Sequence, residues 1–196
     1  MSELRTDRLI LRNWRESDLA PWAAMNADPE VRAYFPDVLT REQSEASVAR
    51  FRTGIARRGW GWWAVEVLDT GEFIGVTGLG PVEDGAPFAG LDPADDKAPF
   101  TAVEAGWRLP RSAWGHGYAT EAARAALSYG FEDLALPEIL AVTAATNLRS
   151  QAVMRRLGMT HDPADDFDDP AYPEGPLRRS VVYRIPAERQ RRRTGE

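Results

Sequence analysis

Two glycines one residue apart, Gly115 and Gly117, stand between a strand-like run, residues 102–109, and a helix-forming run, residues 120–129. A strand, a glycine turn and a helix start make several backbone N–H groups point one way. The first turn of a helix has unpaired donors, and its dipole favours negative charge. Glycine also lets the backbone approach a ligand closely. The N–H groups of Gly115, His116, Gly117, Tyr118, Ala119 and Thr120 therefore suit a phosphate or diphosphate; an ordinary glycine turn into a helix is the plainer reading of the same residues. Glu104 lies in the entering run. Strand alternation sets it opposite Ala105 and Trp107 and on the side of Gly106 and Arg108. A carboxylate on an interior strand needs a reason to be there. It could form an ion pair with an arginine such as Arg108, or serve as a base if burial raises its pKa towards neutrality. Asn147 ends a later apolar run and Ser150 follows one helical turn on, which at the least is a helix start with an Asn cap.

Bulk properties narrow the classes. The chain has 196 residues, 43% hydrophobic and 28% charged, as expected of a soluble globular domain with a sizeable core. No apolar run approaches the roughly 20 residues of a membrane helix. The start, Met-Ser-Glu-Leu-Arg-Thr-Asp, is polar and acidic rather than a secretory signal. A net charge of −6 argues against nucleic acid as a partner. Zero Cys removes disulfides, thiolate metal sites and a cysteine nucleophile, and fits a cytoplasmic location. With only His116 and His161, no His-rich metal site is expected.

The elements that position these residues follow in order. Residues 4–13 hold Arg8-Leu9-Ile10-Leu11-Arg12, a short strand. Ser17 and Asp18 predict the cap of a helix reaching Asn26. Asp28-Pro29 predicts an N-cap with Pro at the first helical position, the short helix ending before Pro36. Thr40 and Gln43 form a capping box that opens a helix with Val48, Phe51 and Ile55 on one face, closing near Gly59. Residues 62–68 and 73–82 are strands around the turn Asp69-Thr70-Gly71, a hairpin. Residues 83–99, rich in Gly, Pro and Asp, read as a loop or a long hairpin connection. A strand over 100–109 precedes the glycine turn, and the helix after it runs to Leu134. Residues 138–146 are an interior strand, and residues 147–157 a helix closed by Gly158. An Asp- and Pro-rich loop over 162–176, a strand over 180–185 and a charged tail over 189–196 complete the chain.

The order predicts one α/β (α+β) domain over residues 1–188, with a mixed central sheet of about six to seven strands and helices on both faces. The helical crossover makes the strands ending at Leu109 and starting at Glu138 parallel neighbours. A ligand at the carboxyl end of the first then lies at the helix N-terminus. A dinucleotide-binding fold would put the glycine turn after the first strand, whereas here it comes past the middle of the chain.

Four stretches, in this order, resemble the GNAT superfamily of N-acetyltransferases, in particular the branch of ribosomal-protein N-terminal alanine and serine acetyltransferases. Thr6-Asp7-Arg8-Leu9-Ile10-Leu11-Arg12 resembles its opening strand. Glu104-Ala105-Gly106-Trp107-Arg108-Leu109, followed by Trp114-Gly115-His116-Gly117-Tyr118-Ala119-Thr120-Glu121-Ala122, resembles its acetyl-CoA signature. Asn147-Leu148-Arg149-Ser150 with Leu157-Gly158-Met159 resembles its Asn-x-x-Ser and Leu-Gly-Phe element. Residues 176–184 resemble its last strand. One place departs: the usual Gln or Arg three residues before the first glycine is here Ser112, with Arg111 beside it as the substitute.

The resemblance implies acetyl transfer from acetyl-CoA to a primary amine, either a protein N-terminus or a small molecule, by direct attack through a tetrahedral intermediate. It implies acetyl-CoA as co-substrate, no metal, no membrane and a homodimer. The alternative is a non-catalytic acyl-CoA-binding or sensor domain. By resemblance, Gly115 to Thr120 hold the diphosphate, assisted by Arg111. Trp107, Arg108 and Leu109 border the pantetheine arm, which Asn147 also binds. Glu104 is the general base, acting through water, and Ser150 protonates the leaving thiolate. The aromatics Tyr34, Phe35, Trp60, Trp62 and Trp63 are core residues or line the acceptor pocket. The acids Asp162, Asp165, Asp166, Asp168 and Asp169 are a solvated loop or attract a cationic acceptor.

Overall fold

The computed structural model describes residues 3–82 and 102–189. The expected insertion at 83–99, the first residues of the strand expected from Phe100, and the tail beyond 189 lie outside the described residues. In chain order the elements are β1 (Leu4–Arg5), β2 (Leu9–Arg12), α1 (Leu19–Asn26), α2 (Arg41–Arg58), β3 (Trp62–Val67), β4 (Phe73–Pro81), β5 (Val103–Arg108), α3 (Tyr118–Glu132), β6 (Glu138–Ala144), α4 (Leu148–Leu157), β7 (Thr160–His161), β8 (Phe167–Asp168) and β9 (Arg179–Pro186). They divide into two compact units, Met1–Gly78 with Trp107–Ala126, and Leu79–Gly106 with Leu127–Glu196.

In the first unit β1, β2, β3 and β4 form an antiparallel ladder, with Leu4 opposite Leu11, Leu9 opposite Val67 and Trp62 opposite Gly78. A bulge between Ala64 and Glu66 shifts the β3–β4 register. Beside it Gly75 takes φ 113°, and a Cβ there would stand 2.2 Å from the Arg108 carbonyl oxygen. Only glycine permits that approach of backbone to backbone.

Both ends of α2 follow the sequence. Thr40 accepts from the Gln43 N–H, the Gln43 side chain returns the bond, and Gly59 closes the helix in the left-handed region. Val48 and Ile55 are buried, and the Trp22 indole donates to Ser47 Oγ at 2.9 Å. Trp14 meets Trp22 edge-on at 5.1 Å and Phe51 at 5.6 Å, so these rings form the apolar centre of the unit.

Two expectations for the N-terminal segment need correction. Asp18 precedes α1 but makes no side-chain cap bond to it. Its carboxylate instead accepts two bonds from the buried Arg12 guanidinium, at 2.7 and 2.9 Å, and one from the Arg15 N–H. The bond from Arg15 closes a capping box on the 3-10 turn Glu16–Asp18 that leads into α1, while the Arg12 pair gives the buried carboxylate the partner it needs. Nor does a helix follow Asp28-Pro29. Residues 29–34 form turns, with Arg32 N–H on the Asp28 carbonyl at 3.0 Å and Phe35 N–H on the Arg32 carbonyl at 2.9 Å. The Asp28 side chain does cap, accepting from the Glu30 N–H at 2.8 Å. The Arg32 guanidinium then reaches the Asp37 carbonyl at 2.7 Å and closes the segment as a loop.

In the second unit β5 and β6 are parallel, as the crossover requires, but share a single register pair, Glu104 opposite Leu140. β6 and β9 pair antiparallel along their full length, from Glu138 opposite Pro186 to Ala144 opposite Ser180. Val82 N–H donates to the Ala102 carbonyl at 2.9 Å, which holds the two ends of the insertion together as a hairpin connection would. The expected 162–176 loop is more ordered than its composition suggests. It carries a 3-10 turn, Pro163–Asp165, and the strand β8, and both β7 and β8 pair with β9. Its acids are used in place: Asp162 caps the turn, Asp165 accepts from Arg184 at 2.7 Å, and Asp166 faces His161 at 2.8 Å. The sheet is mixed, and the described residues hold nine strands, more than expected. The opening run splits in two, and β7 and β8 form where the sequence alone suggests no strand.

Candidate functional site

β5 delivers the chain to Leu109, which is buried, and a 3-10 turn, Arg111–Ala113, leads on. The Trp114 indole donates to the Leu109 carbonyl at 2.9 Å and ties the turn to the strand end. Gly115 and Gly117 then take φ of 80° and 81°, the left-handed region that other residues avoid. The first helical bond of α3 runs from Glu121 N–H to the Gly117 carbonyl at 3.0 Å. Tyr118, Ala119 and Thr120 are thus the first three helical residues, and their N–H groups have no acceptor within the helix. Gly115, His116 and Gly117 are exposed, and a Cβ built on Gly115 would meet nothing within 4 Å. An exposed, open turn leading into helical donors that lack an intrahelical acceptor fits a diphosphate.

The side chains around this turn are only partly legible in the sequence. Glu121 accepts from Thr6 Oγ1 at 2.6 Å, from the Arg8 N–H at 3.0 Å and from Arg8 Nε at 2.7 Å. Burial pushes the Glu121 carboxyl up, but the bonds from Thr6 and Arg8 and the Arg8 charge outweigh it and hold it below its ordinary value. Arg8 Nη1 donates to the His116 carbonyl at 3.1 Å, and the guanidinium lies 4.8 Å over the Tyr118 ring. His116 stacks on the same ring at 5.5 Å. Thr6, Arg8 and Glu121 all stand in the stretches that carry the family resemblance, yet no spacing rule links an opening strand to a helix more than a hundred residues on.

Arg111, the expected substitute for the signature Arg or Gln, is exposed and salt-bridged to Asp28 and Glu30, both at 2.9 Å. The Glu30 N–H, and after it Arg111, lower the Asp28 carboxyl below its usual range. Arg108 donates to Asn26 Oδ1 at 2.7 Å and lies 4.2 Å over Phe35 and 5.5 Å over Trp22. Asn26 is fully buried. Trp107 is half-buried, while Trp60 and Trp63 are core residues.

In the second unit Glu104 is half-buried on β5, opposite Leu140 of β6. Asn147 is the N-cap of α4. Its Oδ1 accepts from the Ser150 N–H at 3.1 Å, and its Nδ2 donates to Thr143 Oγ1 at 2.9 Å. The expected pair is therefore in contact, through a backbone bond that leaves the Ser150 hydroxyl out of the cap. Among the described residues no group of three His, Cys, Asp or Glu is arranged to hold a metal ion, and no helix is long and apolar enough to cross a membrane.

Comparison with known proteins agrees with this layout. The family model described as acetyltransferase (GNAT) domain matches residues 8–160. The uncharacterized N-acetyltransferase YnaD of Bacillus subtilis is 39% identical over 160 residues, 81% of this chain and 83% of that protein. The solved structure of an acetyltransferase from Agrobacterium tumefaciens is 28% identical, covers 94% of each chain and superposes with a TM-score of 0.71. RimL, a ribosomal alpha-N-protein acetyltransferase solved with coenzyme A, shares the fold at a TM-score of 0.72 and 16% identity, over 96% of this chain and 99% of that one. The branch that the sequence resembles is thus among the structural neighbours. The chain belongs to the GNAT acetyltransferase family, and it is an acetyl-CoA-dependent N-acetyltransferase.

Proposed function

We propose that this chain moves the acetyl group of acetyl-CoA to a primary amine, either a protein N-terminus or a small molecule, by direct transfer. The observation that carries the proposal is the exposed turn at Gly115 and Gly117, both at positive φ, leading straight into helical N–H groups without intrahelical acceptors. Gly115, His116, Gly117, Tyr118, Ala119 and Thr120 hold the diphosphate through backbone donors. Arg111 reaches it only by leaving its two carboxylates. Trp107, Arg108 and Leu109 at the end of β5 border the pantetheine arm, and Asn147 binds it from the start of α4. The one-pair contact of β5 with β6 supports a strand end whose backbone is open to that arm.

Bound acetyl-CoA supplies an acyl group activated as a thioester. Glu104 takes a proton from the amine through water, so that the nitrogen lone pair can bond to the acyl carbon as the carbon–sulfur bond breaks. Ser150 gives a proton to the departing sulfur. No covalent acyl-enzyme on cysteine is available, because the chain has none. Residues 1–188 act as the transferase domain. A cytoplasmic location, which the absence of cysteine supports, and a homodimer complete the proposal. Thiol release from acetyl-CoA in the presence of peptide and small-amine acceptors tests it; binding without release would favour the acyl-CoA sensor instead.

A further inference from the structure

Glu121 stands in the first turn of α3, beside the N–H groups that are to meet a diphosphate. A bare carboxylate is favourable at a helix N-terminus, but next to a second, doubly charged anion it repels. Arg8 removes that conflict. Its Nε and Nη2 face the Glu121 carboxylate, while its Nη1 donates to the His116 carbonyl at 3.1 Å. The peptide unit between His116 and Gly117 is planar and trans, so the His116 carbonyl and the Gly117 N–H project in opposite directions from it. Fixing the carbonyl on Arg8 turns the Gly117 N–H away from Arg8. Tyr118, with Arg8 4.8 Å above its ring, and Thr6, bonded to Glu121 at 2.6 Å, hold the same assembly from two further sides.

We propose that Arg8 is a positioning residue for the diphosphate turn, cancelling the charge of Glu121 and orienting the Gly117 N–H through the His116 carbonyl. The proposal rests on the reading of Gly115 to Thr120 as the diphosphate site. It explains how this chain works with Ser112 in the usual Arg or Gln position and with Arg111 bound to Asp28 and Glu30: the nearby cation comes from the residue leading into β2 instead.

A purely structural latch and a charge-cancelling one differ in sign. Coenzyme A binding is measured by titration calorimetry on the full chain at low and moderate salt, with pantetheine, which lacks the diphosphate, as the comparison. Arg8→Met weakens coenzyme A about tenfold or more, and less so at high salt. It leaves pantetheine within about twofold and kcat at saturating acetyl-CoA unchanged. Glu121→Gln, which keeps the bonds from Thr6 and the Arg8 N–H, leaves coenzyme A binding intact or tighter. The double variant recovers most of what Arg8→Met loses. Equal weakening by Arg8→Met and Glu121→Gln, or equal effects on coenzyme A and pantetheine, overturns the proposal while the site reading stands. Failure of the unaltered chain to bind coenzyme A overturns both. If Arg8→Met does not fold, the Glu121→Gln result decides alone, because a structural latch predicts weaker binding and this one does not.

Discussion

At the scale of single residues the acid–base assignment rests on Glu104 and Ser150. Glu104 sits half-buried on β5, and Ser150 spends only its N–H on the Asn147 cap. Replacing either side chain should therefore change chemistry more than folding. Glu104→Gln is expected to lower kcat by about 10²- to 10⁴-fold, the usual span for a general base, with the KM for acetyl-CoA nearly unchanged and the acidic limb of the pH–rate profile lost. Steady-state rates across pH check this, and unchanged turnover would remove Glu104 from the mechanism. The family's motifs single out both residues in the sequence. They do not single out the partners of the arginines. Arg8, Arg108 and Arg111 find Glu121, Asn26 and Asp28, and only the pairing of distant segments decides which acid or amide each one meets.

At the scale of elements the local signals worked where they were self-contained. The capping box of α2, the left-handed closures at Gly59 and Gly158, and the glycine turn before α3 all depend on neighbours a few residues away. They failed where a partner outside the pattern competed. The Asp18 carboxylate takes the Arg12 guanidinium and the Arg15 N–H instead of capping α1, and the Asp-rich segment before β9 gains strands because β9 offers an edge to pair with. Asn147 shows both sides at once, since its Oδ1 caps α4 while its Nδ2 holds Thr143. Asn147→Ala should cost about 1 kcal/mol of stability from the lost cap, whereas Asn147→Ser keeps a capping oxygen and most of that stability. Denaturant melts measure the cost. If Asn147 also binds the pantetheine arm, both variants raise the KM for acetyl-CoA, although only one lowers stability.

At the scale of the whole molecule the fold class and the parallel β5–β6 pair follow from the order of elements. The extra strands and the ion-pair network around Arg12, Asp18, Glu66 and Arg15 do not, because no local pattern encodes them. Charge pairing of this kind makes stability depend on pH. The folded Glu121 carboxyl lies below its ordinary value of 4.5. Its contribution is therefore fully present above that value and is lost as pH falls through the lower, folded value. Glu121→Gln should lower the melting temperature at neutral pH and flatten the acid side of its profile, the two proteins converging as pH falls; an unchanged profile would show that the charge in the Thr6–Arg8–Glu121 assembly adds nothing to stability.

Acetyl transfer to an amine is tested most directly by thiol release from acetyl-CoA by the full chain, with and without acceptors, including peptides with free N-termini and small amines. The expected result is release that depends on an acceptor, saturates with acetyl-CoA and is matched by acetylated amine in the product. Tight binding of acetyl-CoA with no acceptor-dependent release, across peptides and small amines alike, would contradict it.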